Sequence, residues 1–487
     1  MNNAIRHTWV FSVGLFLVLF AALSVVQVGV TDQLEAHPQN VRELYQDRGA
    51  SRGAITVDGT AIADSVPSPD TPFDYQRVYR DSEVYSGLTG FYSIVEQPNG
   101  LEGAMNEYLS GRSDSQFFDR ITSLFTGDTT EGAQVELTVD PELQRLAHDT
   151  IADGTRGSIV VTDVETGEVK AMASKPSFDA NALATHSSSE FVATKEELQD
   201  QNVPLYGDPA IKDRFFPGST FKLLDTAAML ESGDYAADEE LEVPDELELP
   251  NSDTPITNFR GGICSQREEA ELSWIFAQSC NTPFAAAAMD LGEDEIRSTA
   301  EAFGFNDSEL RIPMSVTESV FPEDLTKASL AQSSIGGFEV QATPLQMNMV
   351  AAAIANDGTM MAPHLVESVR GPDLQVLEQS EPEELGEPIS SSTAEELSEL
   401  MKGPIESGTA VGAQSDVVDI HAKTGTADFG ETTESGAPIV NSWITGFADV
   451  GDSTYAVTVA YQDIPYEDGH NLTVSNLKTM FEGAVDQ

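Results

Sequence analysis

Hydrophobic periodicity divides the chain into one long apolar run, a mixed region, and a larger region of alternating strand and helix patterns. The run at 9–30 contains 22 residues without a charge. At 1.5 Å per residue, a helix of this length spans about 33 Å, which is long enough to cross a bilayer. We therefore predict a transmembrane anchor at 9–30, preceded by a cytoplasmic N-terminus at 1–8.

A cleaved signal peptide is the alternative interpretation of the same run. Its apolar region should be shorter and should end at a cleavage site between small residues. Ala22-Leu23-Ser24 has this composition, but the apolar run continues beyond it to Val30. Arg6 precedes the run, whereas Asp32 and Glu35 follow it, so the positive-inside rule leaves the rest of the chain outside. The predicted localisation is the cell membrane, with a single pass and an extracytoplasmic C-terminal region.

The region 31–140 consists of short apolar pieces separated by glycines and prolines, and no repeat is visible. The segment from Arg52 to Thr60 predicts a short strand followed by a turn. We find no catalytic constellation here. The expected role of this region is that of a small α+β module that lifts the rest of the chain off the membrane.

The region 141–487 carries a regular series of elements. Asp140-Pro141 starts an amphipathic helix, and two later strands are joined by the hairpin signal Glu165-Thr166-Gly167. The acidic stretch 239–248 is interpreted as an exposed loop or edge, and the acidic stretch 378–387 as a solvated loop. The predicted strands lie at 158–162, 168–173, 418–423, 440–447 and 455–461, with a final helix at 474–485. The predicted fold class is α/β (α+β), with a mostly antiparallel sheet flanked by helices.

Composition changes this picture mainly through charge. The chain has 25 Lys plus Arg and 81 Asp plus Glu, which gives a formal net charge of −56. Such a field repels nucleic acid and anionic lipid head groups, so binding to either is disfavoured. The acidic residues are spread along the chain, which favours a solvated-surface role. Adaptation to high salt is one hypothesis, and an acidic bias of the whole lineage is the alternative.

Candidate chemistry begins at Ser219 and Lys222. They lie three positions apart, just after Pro217-Gly218 and just inside an apolar helical pattern, so a hydroxyl and an amine share one helix face. The free N–H groups and the dipole of a helix N-terminus would stabilise an oxyanion at the serine. Alone, this S-x-x-K pair is weak evidence, because a helix start with an exposed lysine gives the same pattern.

Two further motifs follow in the same chain. Ser279-Cys280-Asn281 comes after an apolar segment, and Lys423-Thr424-Gly425-Thr426 lies at the end of an apolar strand. Each is weak alone, but the three in this order and context are far beyond chance. With them, the chain from about residue 140 to the end resembles the penicillin-binding protein family, the serine acyl transferases that also include serine β-lactamases.

The N-terminal part resembles the membrane-proximal region of class B penicillin-binding proteins. Within that class, Thr89 to Ser93 and Gly100 to Glu102 are similar to the actinobacterial PbpA type. The resemblance implies a pedestal or dimerisation-like module at 31–140 and a penicillin-binding transpeptidase domain at 141–487. A bifunctional class A enzyme is disfavoured, because the first of these regions leaves too little room for a glycosyltransferase domain.

The resemblance also implies a reaction, peptidoglycan D,D-transpeptidation. Ser219 would attack the carbonyl between the last two D-alanines of a stem peptide and form an acyl-enzyme. Lys222 would be the base, kept neutral by burial and by the nearby charge of Lys423. Ser279 would relay a proton toward the leaving amine, and Asn281 would fix Lys222 and the substrate backbone. β-Lactams would acylate the same serine by mimicry.

The third motif would bind the end of the substrate. Lys423, with the hydroxyls of Thr424 and Thr426, would hold the terminal carboxylate. Gly425 would let the strand approach the substrate closely. The N–H groups of Ser219 and Thr426 would form the oxyanion hole. No cofactor and no metal are expected. The implied partners are stem peptides as donor and acceptor, β-lactams, the membrane and a glycosyltransferase of the RodA/FtsW type, but no nucleic acid.

Two alternative functions remain. A D,D-carboxypeptidase or serine β-lactamase carries the same motifs, but a lactamase needs a carboxylate to activate water, and we cannot assign the loop that would supply it. The long interval between Asn281 and Lys423 and the large membrane-proximal module also fit a transpeptidase better. A non-catalytic β-lactam sensor or scaffold would need a signalling segment across the membrane, whereas only eight residues precede the predicted span.

Other residues that attract attention have ordinary interpretations as well. In an oxidising compartment, a disulfide between Cys264 and Cys280 is favoured over two free thiols, and it would contribute about 3 kcal/mol by chain entropy. It would also stiffen the S-x-N loop. The seven histidines show no metal-ligand spacing. His421 faces the same side of its strand as Lys423, but packing is the preferred role. Trp443 is expected in the core or at the border of the cleft.

Overall fold

The computed structural model describes residues 3–24, 50–68, 73–116, 132–259 and 262–485. Helix α1 covers Asn3–Ser24 and so includes much of the predicted anchor. Residues 25–30 of that anchor lie outside the described residues. Within the described ranges, none of the helices combines the length and the apolar character needed to cross a membrane.

Helices and strands alternate through the rest of the chain. The further α-helices are α2 (Ser82–Thr89), α3 (Gly100–Ala104), α4 (Asn106–Leu109), α5 (Pro141–Thr150), α6 (Ala180–Leu183), α7 (Ser188–Asp200), α8 (Pro209–Lys212), α9 (Lys222–Ser232), α10 (Leu272–Gln278), α11 (Thr282–Leu291), α12 (Glu293–Ala302), α13 (Lys327–Ser333), α14 (Pro344–Ala355), α15 (Ser391–Leu400), α16 (Lys402–Glu406) and α17 (Tyr466–Val485). The strands are β1 (Ile55–Val57), β2 (Thr60–Pro67), β3 (Tyr75–Tyr79), β4 (Gln134–Leu137), β5 (Arg156–Asp163), β6 (Val169–Lys175), β7 (Glu240–Glu242), β8 (Glu246–Leu247), β9 (Ile256–Thr257), β10 (Glu269–Glu271), β11 (Met360–Met361), β12 (Val366–Arg370), β13 (Val376–Gln379), β14 (Glu384–Gly386), β15 (His421–Thr432), β16 (Pro438–Val450) and β17 (Ser453–Pro465). Single 3₁₀ turns lie at Asp114–Gln116, Gly218–Phe221, Ile263–Gln266 and Val411–Ala413.

The N-terminal module is built on a six-stranded sheet with the order β13-β12-β4-β1-β2-β3. The predicted strand and turn after Arg52 are found as β1 and the turn into β2. Glu102 is fully buried beneath the sheet, where Arg52 and Arg77 both form ion pairs with its carboxylate. A buried carboxylate is stable only with such partners, so these two arginines fix α3 against the sheet.

The C-terminal region is centred on a five-stranded sheet with the order β15-β16-β17-β5-β6, in which every neighbouring pair is antiparallel. Helices α5 and α17 cover one face, and α14 covers the other together with the core around α9. The mixed fold with a mostly antiparallel sheet and flanking helices is therefore confirmed. It also leaves β15, the strand of the third motif, at one edge of the sheet.

The structure differs from the predicted elements in the strand of the third motif, which covers His421–Thr432 instead of 418–423, and in the acidic stretches. Strand β7 in 239–248 pairs with β10 alone, so the expected edge is found there, whereas 378–387 contains the end of β13, paired with β12, instead of a loop only. Their residues are largely exposed, so they show no apolar alternation that would reveal a strand. The last helix begins at Tyr466, eight residues before the predicted start, since Gly469 packs closely on Ser442 instead of ending the helix.

Helix α9 positions the first motif at the centre of the molecule. Its residues from Lys222 to Met229 are all buried. A helix that is buried on every side packs against protein all around. Lys222, at its first turn, is therefore enclosed by protein even though Ser219 just before it reaches the surface cleft.

Candidate active site

The turn that carries Ser219 is pressed against strand β15. Gly218 has φ 54°, and a Cβ at this position would lie 2.5 Å from the carbonyl oxygen of Thr426. A Cβ on Gly425 would lie 2.4 Å from the carbonyl oxygen of Pro217. Both glycines are therefore required by backbone contact between the first and third motifs. The close approach that we predicted for Gly425 is made to the Ser219 turn.

Lys222 is fully buried, and its amine is held by the second motif. Nζ lies 2.8 Å from the carbonyl oxygen of Ser279, 2.9 Å from that of Cys280 and 2.8 Å from Oδ1 of Asn281. A charged lysine donates three hydrogen bonds, whereas a neutral one donates two and keeps a lone pair. The three acceptors hold the amine in place. A neutral amine can donate to only two of them, so its lone pair is left to accept a proton.

Ser279 connects the two lysines of the site. Its Oγ lies 3.5 Å from Nζ of Lys222 and 2.8 Å from Nζ of Lys423. Ser279 has φ 60°, a left-handed conformation that is uncommon for a residue with a side chain and that often marks functional positions. Lys423 is also fully buried, so one hydroxyl provides the polar contact between the S-x-N loop and the third motif.

The environment of both lysines disfavours their charged forms. Burial lowers the pKa of Lys222 well below its usual value, and the charge of Lys423 lowers it further. Burial lowers the pKa of Lys423 to about 7. The three oxygen acceptors of Lys222 favour its ammonium form and act in the opposite direction. Complete desolvation beside a second lysine is the larger effect for a buried amine, so the neutral form of Lys222 is favoured.

Asp225 is a further buried titratable group, one helical turn after Lys222. In the part of the chain that the structure describes, neither of its carboxylate oxygens has a hydrogen-bond partner. Burial raises the pKa of Asp225 well above its usual value, and Lys222 lowers it. Nothing in the sequence distinguishes this residue, since it occupies an ordinary position in an apolar helix. The charge of Asp225 raises the pKa of Lys222, which opposes the effects of burial and of Lys423.

The S-x-N loop rests on Asn258, which sequence reasoning also missed. Oδ1 of Asn258 accepts hydrogen bonds from the backbone N–H of Asn281 at 2.7 Å and of Thr282 at 3.2 Å. Its Nδ2 donates to Oγ1 of Thr282 at 3.0 Å and to the carbonyl oxygen of Pro244 at 3.1 Å. The side chain is buried, so the loop has no water to replace these bonds.

Replacing Asn258 by alanine is expected to damage both stability and acylation. Two buried N–H groups would lose their acceptor, which costs about 1–3 kcal/mol for each unsatisfied group. We expect a lower melting temperature and slower labelling by fluorescent penicillin in Asn258→Ala. Gln266→Ala is the matched control, since Gln266 is exposed in the neighbouring 3₁₀ turn. A variant at Asn258 with unchanged stability and labelling would show that the loop does not depend on this side chain.

Cys264 and Cys280 are joined by a disulfide in the structure, with their Cα atoms 5.8 Å apart. The bond ties the 3₁₀ turn at Ile263–Gln266 to the residue between Ser279 and Asn281. We expect no alkylation of the native protein by iodoacetamide and two alkylated thiols after reduction and unfolding, as measured by intact mass. Reduction should lower stability by about 3 kcal/mol. Two modified thiols without reductant would contradict the disulfide.

The motif residues face a cleft of about 540 Å³. Two larger cavities, of about 670 and 760 Å³, lie beside the β1–β2 turn and the start of α5, and neither contains a motif residue. The lining of the motif cleft includes Ser219, Ser279, Asn281, Thr409, Thr424, Gly425, Thr426, Asp428, Phe259, Phe338, Phe429, Tyr466 and His470. Lys222 and Lys423 are buried beneath the lining of the cleft, and both contact Ser279, which is part of that lining.

The rim of the cleft is rich in aromatic side chains that the sequence analysis did not select. The ring of Phe259 stacks on Tyr466 with centroids 5.1 Å apart, and Tyr466 stacks on His470 at 6.0 Å. Phe338 and Phe429 are partly exposed at the same cleft. No spacing rule would have assigned these residues, because they come from separate loops, from β15 and from the first turns of α17.

Trp443 and His421 lie in packing positions. Trp443 is fully buried, stacks near Phe215 and donates from Nε1 to the carbonyl oxygen of Phe216 at 2.9 Å. It therefore supports the segment before Ser219 from the core. The ring of His421 packs on Phe447, and its Nδ1 lies 2.8 Å from the carbonyl oxygen of Ser398. Among the described residues, no group of three or more potential ligand side chains could hold a metal.

Comparison with known proteins covers nearly the whole chain. Residues 157–476 match the penicillin binding protein transpeptidase domain, and residues 52–135 match the penicillin binding protein A dimerisation domain. The chain is 37% identical over 467 residues to the peptidoglycan D,D-transpeptidase PbpA of Mycolicibacterium smegmatis, covering 95% of this chain and 94% of that protein. The corresponding protein of Mycobacterium tuberculosis is 33% identical with the same coverage. A ceftriaxone acyl-enzyme structure of penicillin-binding protein A from M. tuberculosis has a TM-score of 0.84 and 32% identity, covering 91% of this chain and all of that one.

Proposed function

This chain belongs to the penicillin-binding protein transpeptidase family, and on that basis we propose that it is a serine-type peptidoglycan D,D-transpeptidase. The family assignment confirms the resemblance to class B enzymes of the PbpA type that the motifs indicated. The observation that carries the proposal is the position of the Ser279 hydroxyl, between Lys222 and Lys423 and beside the Ser219 turn. Three motifs that are far apart in sequence thereby meet in one cleft.

Ser219 is the proposed nucleophile. Its Oγ forms a bond to the carbonyl carbon of the penultimate D-alanine, while its proton passes to the neutral amine of Lys222. The N–H groups of Ser219 and Thr426 stabilise the oxyanion that forms. The peptide C–N bond then breaks, and terminal D-alanine leaves as a free amine. This assignment is supported by the half-buried position of Ser219 in a cleft with an enclosed lysine behind it.

The second motif carries the proton to the leaving group. Ser279 is the proposed relay, since its hydroxyl contacts both lysines and also lines the cleft. Asn281 is the proposed positioning residue, because its Oδ1 accepts from Lys222 and its Nδ2 donates to the carbonyl oxygen of Thr257 at 3.0 Å. In the second half of the reaction, an acceptor amine bonds to the acyl carbon and its proton passes to the neutral amine of Lys222. The bond between the acyl carbon and Oγ then breaks, and that proton returns to the Ser219 hydroxyl.

The third motif holds the terminal carboxylate of the donor. Thr424 and Thr426 line the cleft, and Lys423 supplies positive charge from behind it. Oγ1 of Thr424 lies 2.5 Å from Oγ1 of Thr409, which fixes the hydroxyl of this strand residue. Thr409 is thus a supporting residue that the motif did not include. Gly425 keeps β15 in contact with the Ser219 turn. The same strand therefore positions both the terminal carboxylate and the scissile carbonyl of the donor.

Hydrolysis as the main activity has less support. A lactamase or carboxypeptidase must activate water at the acyl-enzyme, which needs a carboxylate or an equivalent base near the ester. Among the described lining residues, Asp428 is the one carboxylate, and it lies exposed at the rim. The acyl-enzyme is therefore expected to persist until an amine arrives.

The experiment that tests this function is direct. The full chain in detergent is incubated with a penicillin, digested and analysed by mass spectrometry. We expect one covalent adduct, located on Ser219 and stable for longer than the assay. The same protein should join defined stem peptides that end in D-Ala-D-Ala to an amine acceptor with release of D-alanine. An adduct on another residue, or rapid release of hydrolysed penicillin, would overturn the proposal.

We also propose that the chain is anchored in the cell membrane by the segment at 9–30, with residues after 31 outside the cytoplasm. Apolar side chains of α1 such as Trp9, Phe16 and Phe20 are exposed in the structure, so they lack a protein surface to cover them. The anchor is tested by sedimentation with membranes. We expect the full chain to sediment with them and a chain without residues 1–30 to stay in the supernatant. Carbonate-resistant membrane binding without this segment would contradict it.

The module at 31–140 is proposed as the pedestal of the transpeptidase domain at 141–487. A glycosyltransferase of the RodA/FtsW type is the proposed membrane partner, contacting the anchor and this module. Co-purification of the two full-length proteins in detergent tests the pair. Retention of the complex after exchange of 9–140 for an unrelated anchor and spacer would exclude this contact.

A further inference from the structure

The charge of the cleft contrasts with that of the whole chain. The sequence contains 81 acidic residues, yet Asp428 is the one carboxylate among the described residues that line the cleft. It lies on β15, two residues after Thr426 and on the same face of the strand as Thr424 and Thr426. The two buried lysines lie toward the other end of this row. The cleft therefore has positive charge behind one end and negative charge at the other.

The direction of a bound donor along β15 follows from its two anchor points. Under the proposed function, the terminal carboxylate is held near Thr424 and the scissile carbonyl near the N–H of Thr426. The remainder of the donor must then continue past Thr426, toward Ala427 and Asp428. Asp428 lies about 7 Å beyond Thr426 at the usual rise of an extended strand. The third residue of the stem peptide precedes the penultimate D-alanine, so its side chain lies at this end of the cleft.

We propose that Asp428 binds the side-chain amine of the third residue of the donor, so that donors with a cationic third side chain are preferred. This inference rests on the proposed function. A lysine-type side chain has a flexible four-carbon stem that lets its amine reach a carboxylate beside the backbone path. A diaminopimelate with a free side-chain carboxylate gains less, because its negative charge faces the same aspartate.

The carboxylate of Asp428 is held ready for such a contact. Its Oδ1 accepts a hydrogen bond from the backbone N–H of Gly430 at 2.7 Å. A side chain that is already fixed loses little conformational freedom when a ligand binds. The apolar ring of Phe429, partly exposed beside it, offers a surface for the aliphatic stem of the ligand.

Asp428 is on the donor side and not on the acceptor side. The acceptor amine has to replace the leaving D-alanine, so it enters near Thr424 and Ser279. Asp428 lies in the opposite direction from Thr426 along the strand. A role in acceptor binding would change the second half of the reaction alone, whereas a role in donor binding already changes the acylation step.

The test compares two donors that differ by one charge. The peptides are Nα-acetyl-L-Lys-D-Ala-D-Ala and its Nα,Nε-diacetyl analogue, without any acceptor. Their acylation rate constants are measured on the full chain in detergent by competition with fluorescent penicillin. Measurements use the lowest ionic strength at which the melting temperature is unchanged. We expect the wild type to favour the free amine by about two- to five-fold, the range for an exposed ion pair.

Asp428→Asn should reduce this preference to near one, with both donor rate constants measured relative to the penicillin labelling rate of the same variant. Glu431→Gln is the matched control, because Glu431 is an exposed acid of the same strand outside the cleft lining. If the preference reflected the acidic surface in general, both variants would lower it equally, and the inference would fail. It would also fail if Asp428→Asn kept the wild-type preference, or if the wild type had none. Failure of the proposed function is a separate result, visible as absence of a penicillin adduct on Ser219.

Discussion

A Lys222→Arg variant is expected to fold and to be acylated by penicillin about 10²- to 10⁴-fold more slowly than the wild type, the usual contribution of a general base. Lysine can lose its proton in this site, because burial and Lys423 lower its pKa. Arginine cannot, since its guanidinium stays protonated in proteins. Arginine keeps hydrogen-bond donors at this position but carries a fixed positive charge, so the variant cannot accept the proton of Ser219.

The measurement is the rate of labelling by fluorescent penicillin, with melting temperature as the test of folding. Ser219→Ala gives the level without a nucleophile. Lys402→Arg is the matched control, since Lys402 forms a surface ion pair with Glu399. If arginine is too large for the pocket, Lys222→Met keeps the aliphatic volume without an amine and should lose labelling as well. Wild-type labelling rates in a folded Lys222→Arg protein would disprove the assignment of the base.

The pH profile of kcat/KM for acylation by a carboxylate-bearing donor should be bell-shaped. The rate rises with pH as Lys222 loses its proton, because only the neutral amine accepts the proton of Ser219. It falls again as Lys423 loses the charge that holds the substrate carboxylate, and burial lowers the pKa of Lys423 to about 7. On each side of the maximum, the change in kcat/KM approaches tenfold per pH unit. The two lysines interact, so the apparent values belong to the pair.

Lys423→Arg separates the two limbs. Arginine keeps its charge throughout the range, so the falling limb near pH 7 should disappear while the rising limb remains. The profile is measured with a donor peptide, and the melting temperature is followed at each pH to exclude unfolding. If the decrease at high pH persists in Lys423→Arg, it must be caused by another group. If kcat/KM of the wild type does not decrease at high pH, the charge of Lys423 is not needed to bind the carboxylate.

The sequence was sufficient for the fold class and for the residues that meet at the cleft. Ser219, Lys222, Ser279 and Lys423 belong to motifs in which residue type and spacing express the chemistry directly. Their strand and helix contexts also follow from apolar periodicity, which is strong where one face of an element is buried. The structure adds the distance between the first and third motifs. Their backbones are so close at Gly218 and Gly425 that neither position has room for a side chain.

Other features could not be read from the sequence, for physical reasons. Asn258 supports the S-x-N loop from a separate loop, and only the folded chain brings the two together. Asp225 occupies an apolar helix where an isolated acid looks like a surface residue, and its burial depends on packing from several elements. Strand β13 was missed because its residues are largely exposed and its pairing partner lies earlier in the chain.

The six-stranded sheet has a practical consequence for protein production. Strand β12 lies in the C-terminal region, yet it pairs with β4 of the N-terminal module. A fragment that starts at the transpeptidase domain would lose β4 and leave β12 with an open edge beside the buried Val369. Unpaired strand edges of this kind are a common cause of aggregation. Material for inhibitor screening or crystallisation should therefore begin before Arg52, even though every proposed catalytic residue lies after residue 200.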